Sequence, residues 1–305
     1  MKIIITGGTG AIGRALTAEL LQAGHQVTIF SRNPQKSVTG TKTVVWDIEN
    51  IESWLPEIEK VDAIVHLAGE NLAGEGFLPK RWTLERKKRI VHSRSQTGKA
   101  LTQAIQRAQP KPKIFIQASA IGYYGPRKDE IITENFKPGG DFLAQTCLEW
   151  ENSTKPLENL GVRRAIIRTG IVLTPQEGAL SRLLLPYKMY VGGPFGNGKQ
   201  WYSWIHIADE VAAIRFLIEK PAAVGTFNLT TPTPLTNRDF GKTLGKVLKR
   251  PSWLPIPAFA LNLFLGEVSS VVLDSQRVLP GRLQELGYKF KFPELRSALE
   301  DLLLP

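Results

Sequence analysis

Three glycines near the start of the chain carry the first recognisable chemistry. Gly7, Gly10 and Gly13 recur at three-residue spacing, and Gly8, Gly10 and Gly13 also read as G-x-G-x-x-G. Ahead of them, Ile3, Ile4 and Ile5 form the β-branched run of a buried parallel strand. Behind them, Arg14 to Ala23 has helical composition, with Ala15, Leu16, Leu20 and Leu21 on one face. Strand, glycine turn and helix let a backbone approach a pyrophosphate, whose charge rests on the helix N-terminus. Thr9, Ala11 and Ile12 complete the expected cradle.

A second strand, Gln26 to Phe30, is followed by Ser31-Arg32-Asn33. Sites that take NAD usually put Asp or Glu here, on the ribose 2′-hydroxyl. This chain has no acid there, and an arginine clasps a 2′-phosphate bidentately. The expected cofactor is therefore NADP(H). A third strand over Thr43 to Ile48 carries Asp47, placed to bond an adenine amino group. A fourth, Val61 to Leu67, runs into Ala68-Gly69-Glu70, where small residues let a cofactor ribose lie against the strand end.

These residues need a scaffold, and the rest of the chain supplies its pattern. Ile114 to Ser119 and Arg164 to Leu173 read as a fifth and a sixth strand. Strands separated by helical stretches of ten or more residues mean βαβ units, a parallel sheet and helices on both faces. The carboxyl ends of the strands then converge on one edge, where ligands bind. Between strands four and five, Lys80, Arg81, Arg86, Lys87, Lys88, Arg89, Arg94 and Lys99 lie along a long helix whose apolar face holds Ile90, Val91, Ala100, Leu101 and Ile105. With Trp82 as its only aromatic, this stretch reads as a solvated helix face; no nucleic-acid partner is expected. Phe142 to Glu158 and Ala208 to Glu219 read as helices, and Thr226 to Leu229 as a strand. Thr236 is placed to cap a helix over Asn237 to Leu248. A proline-rich loop, Pro251 to Pro257, precedes two last helical segments. The first of these, Pro257 to Gly266, reads as a packed helix.

The 305 residues are 42% apolar, ample for a large core, and the formal net charge of +11 favours anionic ligands. Cys147 is the one cysteine, so no intrachain disulfide forms. That and the strand beginning at residue 3 point to a reducing, cytoplasmic setting. No apolar run reaches the roughly 20 residues of a membrane span. A monomer or homodimer acting on a small molecule is expected, and no metal-ligand set stands out.

The chain resembles the extended short-chain dehydrogenase/reductase superfamily through Thr6-Gly7-Gly8-Thr9-Gly10-Ala11-Ile12-Gly13, His66-Leu67-Ala68-Gly69, Ser119 to Gly125 and Trp204-Ile205-His206-Ile207-Ala208-Asp209. More narrowly it is similar to the atypical group labelled epimerase family protein. The matches are Ala68-Gly69-Glu70, Arg81-Trp82, Ser93-Arg94, Gly139-Gly140-Asp141-Phe142, Gly192-Gly193-Pro194 and a tail holding Leu273 to Pro280. The resemblance implies an α/β fold: a doubly wound Rossmann-type parallel sheet with a smaller C-terminal α/β substrate domain. The NADP-binding domain would span 1–170, with 203–230 folding back onto it. Residues 171–202 and 231–305 would form the smaller domain. Arg94 joins the cofactor-binding set on the same ground.

The resemblance also implies a Tyr-x-x-x-Lys pair on the helix after the fifth strand, and a serine at that strand's end to polarise a substrate oxygen. Ser119 fits the serine. The positions matching the pair are Leu143 and Cys147. Leucine has no titratable proton, and a thiol is neither a lasting cation nor a strong donor. Either another acid serves, with Tyr123, Tyr124, Glu70, Glu149 and His206 as the candidates, or the protein is a non-catalytic NADPH-binding sensor or scaffold. The arginine that sugar-nucleotide epimerases use on a diphosphate is replaced by Tyr202. Trp201 and Trp204, with His206, suggest an aromatic substrate pocket instead.

Overall fold

The structure, a computed structural model, describes every residue except Pro34, Lys36, Ser37, Glu75, Phe77 and Pro305. Its centre is a seven-stranded parallel sheet. The strands are β1 (Lys2–Thr6), β2 (Gln26–Ser31), β3 (Lys42–Val45), β4 (Ala63–His66), β5 (Ile114–Ala120), β6 (Arg163–Thr169) and β7 (Gly225–Leu229). They lie in the order β7-β6-β5-β4-β1-β2-β3, so the winding reverses between β1 and β4. That reversal opens a crevice at the carboxyl ends of the strands, which is where doubly wound sheets bind ligands.

Parallel strands covered on both faces must be apolar throughout, and Ile3, Ile4, Ile5, Ile64 and Val65 are fully buried. On one face, helices α1 (Ala11–Gln22) and α5 (Ile207–Glu219) pack on Ile3, Ile5, Val65 and Ile116. On the other, the long helix α2 (Leu84–Arg107) closes a core that includes Ile4, Phe30, Trp54 and Phe115. Helix α3 (Phe142–Ser153) lies beside α2. A third core sits apart from the sheet, where α4 (Gly178–Lys188), α6 (Asn237–Leu248) and α8 (Leu295–Leu303) enclose Leu184, Tyr202, Trp204, Phe240 and Leu299.

Several boundaries differ from the sequence reading. Helix α1 begins at Ala11, because Gly10 is extended and its carbonyl accepts the first intrahelical bond from Arg14. The third strand ends at Val45: the Trp46 amide still bonds Ser31, after which the chain turns away. The sixth strand breaks at Gly170. A Cβ there would lie 2.4 Å from the Ser203 carbonyl, and Ile171–Leu173 leaves the sheet to pair with Trp204–His206. Helix α3 stops at Ser153, where Thr154 leaves helical geometry, and Lys155–Leu160 continues as a separate 3-10 turn. Thr236 caps α6 as expected, accepting from the Asp239 amide at 3.2 Å. The tail departs most. It contains four helical stretches after the proline-rich loop besides α7 (Ala258–Leu265), and no residue of α7 is buried. The expectation of a packed helix there fails.

Candidate functional site

Each glycine of the opening turn has its own steric reason. Gly7 has φ +72°, and a Cβ on it would come within 2.9 Å of the Leu67 backbone. Gly13 faces inward: its Cβ would lie 2.4 Å from the Gly7 carbonyl. Gly8 closes against Ile29. Gly10 is different, with only the Gly7 carbonyl near its Cβ position, at 3.5 Å. It is the N-cap of α1, and neither a capping side chain nor an acid occupies the first turn. The amides there remain available to an anion.

This turn forms one wall of a groove of about 1120 Å³. Gly7, Thr9 and Gly10 come from the β1 turn, Ser31 and Arg32 from the end of β2, and Asp47 from beyond β3. Leu67, Ala68, Gly69 and Glu70 follow β4. Ala11, Ile12 and Gly13 instead form the first turn of α1 beneath it, with Ile12 packed on the core. Trp46, Ile48 and Asn71 also line the groove, as do Lys80, Arg86, Arg89, Ser93 and Thr97. None of these is among the cofactor-binding residues expected from sequence, although Lys80, Arg86 and Arg89 lie in the basic stretch and Ser93 in the family match. The basic stretch holding Arg86 reads as a solvated face, yet Arg86 is 6% exposed and donates to the Asn71 carbonyl at 2.8 Å. Ser93 and Thr97 recur at helical spacing with Arg86, which places the three on one face of α2. The groove has the size and the donor set for a dinucleotide: helix-terminal amides for the diphosphate, an arginine and a serine at the ribose edge, small residues beneath.

Arg94 lies behind the inner end of this groove. Its guanidinium donates to the carbonyls of Glu70 and Ile90, both at 3.0 Å, and stacks 5.0 Å from the Trp150 ring. A Cβ on Gly69 would meet it at 3.1 Å. Cys147 lies within its electrostatic reach, and burial pushes that thiol up to about 11. The nearby His66 is held neutral: burial lowers it to about 3, and its Nδ1 lies 2.7 Å from the Thr6 hydroxyl.

Ser119 is 5% exposed and its hydroxyl donates to Glu151 at 2.7 Å. Glu151 in turn receives Nε and Nη2 of Arg168, both at 2.9 Å, a bidentate buried pair. Arg168 also donates to the Tyr124 hydroxyl, which donates to Asn228 at 2.6 Å. Tyr124 is fully buried, and that burial raises it to about 12. Tyr123 lies flat on Arg168, 3.3 Å from ring centre to guanidinium. Thus Ser119, Tyr123 and Tyr124 are gathered into one network, with the serine proton and the Tyr124 proton already engaged. Glu151 and Arg168 were missed from sequence, because a carboxylate and an arginine on separate elements show no common spacing.

Leu143 lines a second cavity, of about 620 Å³, with Trp82, Asp141 and Phe142 on one side and Asn262, Ser270 and Asp274 from the tail on the other. Asp274 is raised by burial and by the charge of Asp141. None of Trp201, Trp204 and His206, from which an aromatic substrate pocket is expected, lines the groove or this cavity. Trp204 is fully buried in the third core. His206 accepts from the Ala208 amide at 3.0 Å as the cap of α5 and stacks on Phe292. Trp201 donates to Asp129 beneath Arg277. Trp204 is thus used in packing and His206 in capping.

The sheet order, the glycine turn and the crevice at the winding reversal define a Rossmann-type dinucleotide-binding protein. The chain belongs to the NAD dependent epimerase/dehydratase family, whose profile matches residues 3–230; a domain of unknown function (DUF1731) matches 256–302. It is 41% identical over 304 residues to an epimerase family protein of Staphylococcus aureus strain MRSA252, covering 99% of each chain. Among solved structures it is similar to the human epimerase family protein SDR39U1 (isoform 2) with NADPH, at 31% identity and TM-score 0.89, again over 99% of each chain. The UDP-glucose 4-epimerase of Thermus thermophilus shares the fold, at 16% identity and TM-score 0.76 over 99% of each chain. The family is one of nicotinamide cofactors, in keeping with the groove.

Proposed function

We propose that this protein binds NADP(H) in the groove and acts as an oxidoreductase or epimerase-like enzyme on a small molecule held in the cavity beside Leu143. The carrying observation is Arg32. It lines the same groove as Gly7 and Gly10, at the end of β2, where an acid would be needed to prefer NAD(H). The NADPH present with the human relative supports the same choice.

The first-turn amides of α1 would hold the diphosphate, Arg32 and Ser31 the 2′-phosphate, and Asp47 the adenine. Arg94 would supply, from α2, the cation that the family pattern takes from a lysine at the position of Cys147. The bound cofactor supplies hydride transfer at its nicotinamide. Ser119, with its proton given to Glu151, can orient a substrate by accepting a hydrogen bond. Residues 1–170 with 203–230 would then form the cofactor unit, and 171–202 with 231–305 the substrate unit.

A non-catalytic NADPH sensor is the second reading, favoured by Leu143 and Cys147 and by the engaged protons of Ser119 and Tyr124. Titration of the purified protein with NADPH and NADH tests the shared cofactor claim. Tight NADPH binding with oxidation against fractionated metabolites, lost in Ser119→Ala, supports the enzyme. Tight binding without turnover of any fraction supports the sensor.

A further inference from the structure

Helix α7 has the composition of a core helix and the surroundings of a surface one. Phe259, Leu263 and Phe264 are 74%, 64% and 74% exposed. The face continues through the preceding loop, where Trp253 is 64% exposed and its indole donates to the Tyr190 carbonyl at 3.0 Å. The amides of Trp253 and Leu254 bond Gly192, and that of Ile256 bonds Pro194. These bonds set the exposed Met189, Tyr190 and Val191 against the loop. Exposed apolar side chains therefore stand along 189–191, 253–254 and 259–264. The face is held from behind: the Arg81 guanidinium donates to the carbonyls of Leu263 and Phe264, and Ser269 donates to Asn262.

Its charge is one-sided. Neither 185–200 nor 240–266 contains an acid. Lys188, Lys249 and Arg250 flank the aromatic end, with Arg250 over the Tyr190 ring at 4.4 Å. Glu267, the first acid beyond α7, is ion-paired with Lys87. An apolar face with an aromatic belt and a cationic rim complements an anionic bilayer, where apolar side chains enter below the headgroups and cations meet the phosphates. A second copy fits poorly, since a two-fold contact would bring like-charged rims together. We propose that this face docks the protein on anionic lipid bilayers, with α7 lying in the plane of the interface.

Flotation of the full chain with vesicles tests this. Phosphatidylcholine vesicles containing phosphatidylglycerol should carry the protein at least about tenfold better than phosphatidylcholine alone, and rising salt should weaken the binding. Phe259→Glu with Phe264→Glu should reduce binding to anionic vesicles by more than about tenfold. Circular dichroism and the thermal midpoint should stay as in the wild type, because neither ring is buried. The tryptophan emission shift on anionic vesicles should disappear in Trp253→Phe. Four results would overturn the proposal: no flotation with anionic vesicles, equal flotation with both compositions, wild-type flotation of the double variant, or a dimer in light scattering that the double variant dissolves.

Discussion

Arg94 and Cys147 share one neighbourhood, and each constrains the other. A lysine at 147 would set a second buried cation beside the guanidinium, at a cost that a low-dielectric site does not screen. A small neutral thiol leaves the arginine room, and burial holds that thiol neutral at about 11. On the proposed reading, the cation that the family pattern places on α3 is supplied from α2 by Arg94. Arg94→Met should weaken NADPH binding by roughly tenfold to a hundredfold, the range of a lost charged hydrogen bond. Adding Cys147→Lys should recover most of it. Calorimetric titration reads both, and unchanged binding by Arg94→Met would show that the cation is not used. Arg32→Asp addresses the other end of the groove. It should lower NADPH affinity by about tenfold or more through lost pairing and new repulsion, while NADH binding holds or improves. Equal affinity of the wild type for both cofactors would remove the argument from Arg32.

Among the elements, legibility follows how local the determinant is. The β1–glycine–α1 unit, the acid-free end of β2 and the Thr236 cap could be read because apolar period, turn residue and cap lie within a few residues of one another. The direction in which an apolar segment faces could not. Trp204 and Phe264 are both large and apolar, and only the tertiary partner decides that one is fully buried and the other 74% exposed. The basic run of α2 misled for the same reason: Arg86 turns inward to carbonyls that sequence spacing does not reveal. The opening glycines permit a sharper test, because their roles separate. Gly13→Ala puts a methyl 2.4 Å from a backbone oxygen, in a place where neither side yields. It should cost about 1–3 kcal/mol in urea unfolding. At Gly10 the methyl enters open groove. Gly10→Ala should leave unfolding nearly unchanged and weaken NADPH by about tenfold through loss of close backbone approach. Equal behaviour of the two variants would count against this division of labour.

For the molecule as a whole, buried titratable groups on the central sheet and its helices set how stability depends on pH. Glu210, at the start of α5, is fully buried; it receives the Thr169 hydroxyl at 2.8 Å and is raised by burial from 4.5 to about 8. The folded state therefore holds a proton that the unfolded chain has released, so Glu210 makes stability fall as pH rises between 4.5 and about 8. His66 works the other way. Its folded value of about 3 lies below the ordinary 6.5, so the unfolded chain binds the extra proton and stability rises with pH up to 6.5. His206, also lowered by burial, adds to that limb, and Glu134, raised by burial, adds to the opposing one. The two slopes oppose each other between 4.5 and 6.5, and above 6.5 the carboxyl slope stands without the histidine one. Wild-type stability should therefore be nearly level across the first interval and then fall by about 2 kcal/mol on going to pH 8. Glu210→Gln keeps an acceptor for Thr169 and removes the proton. It should flatten the fall above 6.5 and turn the level stretch between 4.5 and 6.5 into a rise with pH. Urea midpoints of the two proteins across this range measure the difference. Parallel curves would mean that Glu210 ionises in the folded protein as readily as in water.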